Sequence, residues 1–142
     1  MNIRQALKQK SKLLTEIKEL YKLVQTSNSL PAETPKRFNV SKLLDDISAL
    51  TLELVELKSK IHKANQPVYE KIFLMAELKG KVKQLRGVST EEGIVSSRYG
   101  STQETKVAQV NAADMRTMIK NIEKQIETLQ EELDVHNSVT QI

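Results

Sequence analysis

Between residues 40 and 64, apolar side chains recur in alternating steps of three and four: Val40, Leu43, Ile47, Leu50, Leu54, Leu57, Ile61 and Ala64. A repeat averaging 3.5 residues places one apolar seam on one side of a helix, the pattern of a coiled coil. Leu44 and Val55 broaden that seam. Asn39 is placed to cap the start of this helix, and "NQP" at 65–67 is expected to end it, because Pro67 disfavours helical backbone at Gln66. A first helix is predicted over 2–25, where Ile3, Leu7, Leu14, Ile17, Tyr21 and Val24 follow the same rhythm and Leu13 and Leu20 widen it.

Two further helices complete the pattern. Over 68–86, Val68, Ile72, Met75, Ala76, Val82 and Leu85 supply an apolar face, Pro67 suits the first turn, Gly80 weakens the middle and Gly87 offers a stop. Over 111–137, Asn111 caps a helix whose stripe is Met115, Ile119, Ile122, Ile126, Leu129 and Leu133, with Asp114 near the positive end of its dipole. The expected fold is therefore all-α: a four-helix antiparallel bundle of coiled-coil hairpins forming one helical domain over 1–142. Two segments are irregular. "TSNSLPAETPKRF" (26–38) carries two prolines and is long for a helix–helix connection. The 87–110 insert between the third and fourth helices has the makings of a short β-hairpin, with Ile94-Val95 and Val107 and Val110 as strand formers and Tyr99-Gly100-Ser101 as the turn.

Composition narrows the chemistry. Aromatic residues make up only 4% of the chain and there is no Trp, so the core must be aliphatic. The absence of cysteine excludes disulfides, thiolate metal sites and cysteine nucleophiles. No apolar leader opens the chain and no stretch approaches the roughly 20 apolar residues of a membrane span, so a cytoplasmic protein without a membrane partner is expected. The net charge of +4 is mild and mostly interleaved. The first helix is the exception, with Arg4, Lys8, Lys10, Lys12, Lys18 and Lys22 against only Glu16 and Glu19.

No catalytic constellation emerges. His62 and His136 lack the spacing of metal ligands. Asp45-Asp46 and Glu91-Glu92 are adjacent, so their carboxylates diverge where paired-carboxylate chemistry needs a set separation. "LKGKVKQLRG" lacks the context of a phosphate loop. The chain is expected to be non-enzymatic, with no cofactor and no metal.

Binding chemistry is concentrated in the insert. Arg98 offers a planar fork for phosphate or carboxylate and Tyr99 a ring to stack on a base. Thr102, Gln103 and Lys106 add polar reach. Asn65 and Asn137 close the second and fourth helices in "IHKAN" and "LDVHN". They read either as helix caps with left-handed backbone or as carboxamides facing a shared ligand.

Several short motifs stand out together: Ala6-Leu7 through Ile17, "IHKAN", Arg98-Tyr99 followed by Val107, Val110, Asn111, Met115 and Arg116, and the closing Leu129, Leu133, Asn137, Thr140 and Ile142. In these the chain resembles the septicolysin-like family, small α-helical proteins of bacteria and their phages. Ser138 stands where that family usually places Trp, and Ser101 and Thr102 follow Gly100 where its insert is often richer in Arg.

The seams carry more apolar surface than a thin monomer covers, so a homo-oligomer is expected, most simply a symmetric dimer. The leading functional expectation is capture of a nucleotide-like anion by Arg98, Tyr99, Lys106, Gln103, Thr102, Asn65 and Asn137. In a phage this would be an anti-defence sponge that sequesters a nucleotide second messenger. The alternative is a structural or protein-interaction scaffold whose insert is a spacer. The third reading is nucleic-acid binding through the basic first helix, which no recognised module or stacking aromatic supports.

Overall fold

The computed structural model describes residues 1–96, 100 and 102–142. The all-helical expectation holds in class. Among the described residues, four α-helices, α1 (Ile3–Ser27), α2 (Val40–Asn65), α3 (Tyr69–Arg86) and α4 (Ala112–Val139), are accompanied by one small antiparallel sheet, β1 (Gly93–Ser96) with β2 (Gln103–Lys106). The chain divides into two compact units, Met1–Pro67 with Val135–Ile142, and Val68–Asp134.

In the first unit, Asn2 opens α1 with a reciprocal cap. Its side-chain oxygen accepts the Gln5 N–H at 2.9 Å, and the Gln5 side chain accepts the Asn2 N–H at 3.0 Å. Two of the donors that a helix start leaves unpaired are thereby satisfied. Asn39 caps α2 with a single bond, its side-chain oxygen accepting the Lys42 N–H. Gln9 donates to Glu53 at 3.1 Å, while Ser27 and Val40 line one cavity, so α1 and α2 run antiparallel. Between them Ala6, Leu13, Leu54, Leu57 and Ile61 form one buried cluster, with Leu7, Ile17, Leu50 and Ile142 packed against it. The last residues of the chain clasp the first. The Ile3 N–H donates to the Thr140 carbonyl and the Ile142 N–H to the Met1 carbonyl, and the Asn2 amide donates to the Ser138 carbonyl. Ile3 is consequently shut off from solvent.

In the second unit, α3 and α4 run antiparallel, tied by Lys71–Glu132 at 2.7 Å and by Arg86–Glu123. Val82 of α3 and Met115, Ile122 and Leu133 of α4 are buried there, as is Val68 just ahead of α3. Asn111 caps α4 as expected, accepting the Asp114 N–H at 2.8 Å.

Local differences from the sequence expectation have identifiable causes. Gln66 keeps helical backbone (φ −46°, ψ −45°) despite the following proline. The chain tightens there into a 3₁₀ turn, Gln66–Val68, in which Gln66 bonds to Lys63 and Val68 becomes buried. Gly87 ends α3 with φ −81°, so its left-handed freedom is not used. Asn65 and Asn137 are not left-handed caps either. No non-glycine residue among those described has positive φ, and Asn137 lies inside α4. Of the residues assigned to the seams, Leu14, Tyr21, Leu44, Val55 and Ala76 are exposed, whereas Ala6 is fully buried. The hairpin pairs Gly93↔Lys106 through Ser96↔Gln103, so the second strand stops before Val107, which is 84% exposed. With Ile94 also exposed, the ladder is set by backbone register and not by burial of β-branched side chains.

Candidate functional site

The hairpin positions only part of the expected binding set. Lys106 is engaged by Glu91 at 3.1 Å, with both side chains about half exposed. Gln103 and Thr102 are exposed at the strand start. Arg98 and Tyr99 lie outside the described residues. Asn65 and Asn137 belong to the first unit and the hairpin to the second.

The two asparagines do share a corner of the first unit. His136 bonds through Nε2 to the Ala64 carbonyl at 3.2 Å and through Nδ1 to the Thr140 hydroxyl at 3.2 Å. A carbonyl can only accept, so Nε2 carries a proton and donates to Ala64. This ring holds the turn bearing Asn137 against the end of α2 that bears Asn65. The Asn65 side-chain oxygen is buried there without a hydrogen-bond partner among the described residues.

A second polar location was marked in the sequence only as a long excursion. Residues 27–40 surround an open cavity of about 660 Å³ lined by Asn28, Lys36, Arg37, Phe38 and Asn39 among others. Lys36, Arg37 and Phe38 also line an adjoining recess of about 300 Å³. The first turn of α2, which begins at this cavity, contains no acidic residue, so the positive end of its dipole adds to the two cations. Two cations beside an aromatic residue just ahead of an N-capping Asn was the available signal, hidden because the prolines mark the segment as a connection.

Apolar surface is the more extensive feature. Gln9 and Glu53 meet on one side of the α1–α2 pair. At about 100° per residue, Leu14 and Tyr21 of α1 and Leu44 and Val55 of α2 fall on the other side, and all four are exposed. Leu14, Ile17 and Tyr21 line a shallow recess of about 580 Å³ edged by Lys18 and Lys22. In the second unit, Phe73 and Leu74 project from α3 into solvent.

Among the described residues, no group of three His, Cys, Asp or Glu side chains comes together as a metal site. No helix among the described residues is long and apolar enough to cross a membrane. Compared with protein families, characterised proteins and solved structures, the chain matches none.

Proposed function

We propose that this chain is a non-enzymatic assembly protein, a helical scaffold that self-associates through the apolar faces its helices leave uncovered. One observation carries the reading: Leu14, Tyr21, Leu44, Val55, Phe73 and Leu74 are all exposed, on three different helices. Scattered exposed leucines are ordinary, but apolar side chains aligned on helix faces and edged by charge mark interaction surfaces. Light scattering on the purified chain tests it. A mass that is a whole multiple of the 16.1 kDa chain is expected, and a monomer at high micromolar concentration would remove the reading.

Capture of a nucleotide-like anion is the second reading, and the 27–40 cavity favours it. Its volume falls within the range of about 300–1,000 Å³ common for small-ligand sites. Lys36 and Arg37 supply charge-assisted bonds for a phosphate and Phe38 a ring for a base. The phage sponge role and the septicolysin-like resemblance belong with this reading, as does any contribution from Arg98 and Tyr99. Calorimetry with nucleoside mono- and diphosphates checks it: binding lost in Lys36→Ala/Arg37→Ala places the site in this loop, and no heat with any nucleotide ends the reading.

A further inference from the structure

We infer that α3 is the helix through which the chain pairs with a second copy, antiparallel about a twofold axis, with Phe73 of each copy seated over Gly80 of the other. This rests on the self-association reading and names its surface.

The side of α3 that faces α4 is fixed by buried Val82 and by the ion pairs of Lys71 and Arg86. Stepping about 100° per residue from Val82, the opposite side carries Tyr69, Phe73, Ala76 and Gly80, spaced four, three and four apart. That spacing is the seam of a coiled coil, and here Phe73, Ala76 and Gly80 are exposed while Tyr69 is half-buried. Phe73 is 62% exposed, its ring stacked on Tyr69 with centroids 5.6 Å apart. The stacking holds the aromatic ring as a defined knob.

Gly80 is the complementary feature. Glycine inside a helix is unfavourable relative to alanine. A Cβ added at Gly80 would meet nothing within 4 Å, so nothing described within the chain requires the side chain to be missing. A partner helix crossing closely at this point would require it. With a twofold axis between Ala76 and Glu77, Phe73 lies opposite Gly80 in both directions, so a single patch is knob and hole at once. Self-complementarity of that kind is what an isologous dimer demands. Ala76, beside the axis, keeps the two backbones close.

Charge selects the antiparallel arrangement. Glu70 and Glu77 lie in the first part of α3, whereas Lys79, Lys81 and Lys83 lie in the last. Antiparallel pairing brings Glu70 of one copy beside Lys81 of the other on the same flank, twice by symmetry. Glu77, next to the axis, meets Glu77 of the other copy, the one like-charge contact of the antiparallel arrangement, with Lys81 one turn away on each helix to offset it. Parallel pairing would align acid with acid and lysine with lysine, which is unfavourable.

The test uses the full chain, whose lack of cysteine makes any introduced thiol unique. Ala76→Cys should form a disulfide-linked dimer under mild oxidation, since thiols near the axis meet the short separation a disulfide needs, while Ser59→Cys on α2 should not. Phe73→Glu, at an exposed site, should weaken self-association by at least about tenfold, as loss of a central aromatic anchor does, with unchanged helical circular dichroism. Gly80→Leu places a side chain where the partner's Phe73 would sit and should weaken association similarly while leaving the fold intact. A dimer that ignores Phe73→Glu and Gly80→Leu, or that cross-links through Ser59→Cys and not Ala76→Cys, overturns the α3 pairing and leaves self-association standing. A wild-type chain that is monomeric at every concentration overturns both.

Discussion

The two units are built from similar helices but held together differently. Between α1 and α2 the buried residues make one continuous cluster around Ala6, Leu13, Leu54, Leu57 and Ile61, and the chain's two ends clasp each other beside it. Between α3 and α4, Val82, Met115, Ile122 and Leu133 are buried without joining a cluster of that kind, and exposed ion pairs span the helices. A continuous cluster gains from every contact it shares, whereas exposed ion pairs contribute little each. The first unit is thus the stable anchor. The second is the part more readily opened, and it carries the hairpin and the exposed aromatic face.

The sharpest way to break this contrast is Leu54→Ala, which empties the centre of the cluster and should cost about 2–5 kcal/mol; urea unfolding followed by circular dichroism reads it. Ile122→Ala should cost less, because less of its surroundings is packed apolar matter, and amide exchange should already be faster over 68–134 than over 3–65 in the unmodified chain. Equal costs and equal exchange would erase the distinction. Removing the α2 cap in Asn39→Ala should cost about 1 kcal/mol, through loss of the bond to the Lys42 N–H.

Smaller effects refine the contrast. Arg86→Ala should cost no more than about 1 kcal/mol and less in high salt, since the pair with Glu123 is exposed. The smallest effect belongs to Glu56, whose carboxyl is held below its ordinary value of 4.5 by a hydrogen bond from Lys60 and by that residue's charge. A group depressed in the folded state adds stability above its unfolded value and loses it as pH falls through the folded one. Glu56 is exposed, so Glu56→Gln should lower the urea midpoint only marginally at neutral pH, and that small difference should disappear as pH falls below about 4.5.

What could be read in the sequence follows the same physics. The α2 seam was legible because Ile47, Leu54, Leu57 and Ile61 repeat without interruption, and all four are buried. The caps at Asn39 and Asn111 were legible because a short polar side chain ahead of an apolar rhythm has one local use. In α1 the apolar stripe is wider than one helix–helix contact, so periodicity alone could not separate buried Leu13 from exposed Leu14 and Tyr21. It also passed over Ala6, whose small side chain is enclosed between helices. The expected site was less legible. A polar residue such as Lys106 reads as a ligand contact until a partner such as Glu91 is seen beside it, and the cations of the 27–40 loop read as a connection until the chain is folded around its cavity.

Native mass spectrometry of the protein purified from the cells that make it is the most direct measurement of the central claim, that this chain works by associating with itself. The account predicts ions at whole multiples of 16.1 kDa carrying no additional nucleotide-sized mass. A monomer would contradict it, and a species that sheds a nucleotide on mild activation would transfer the function from the helix faces to the cavity.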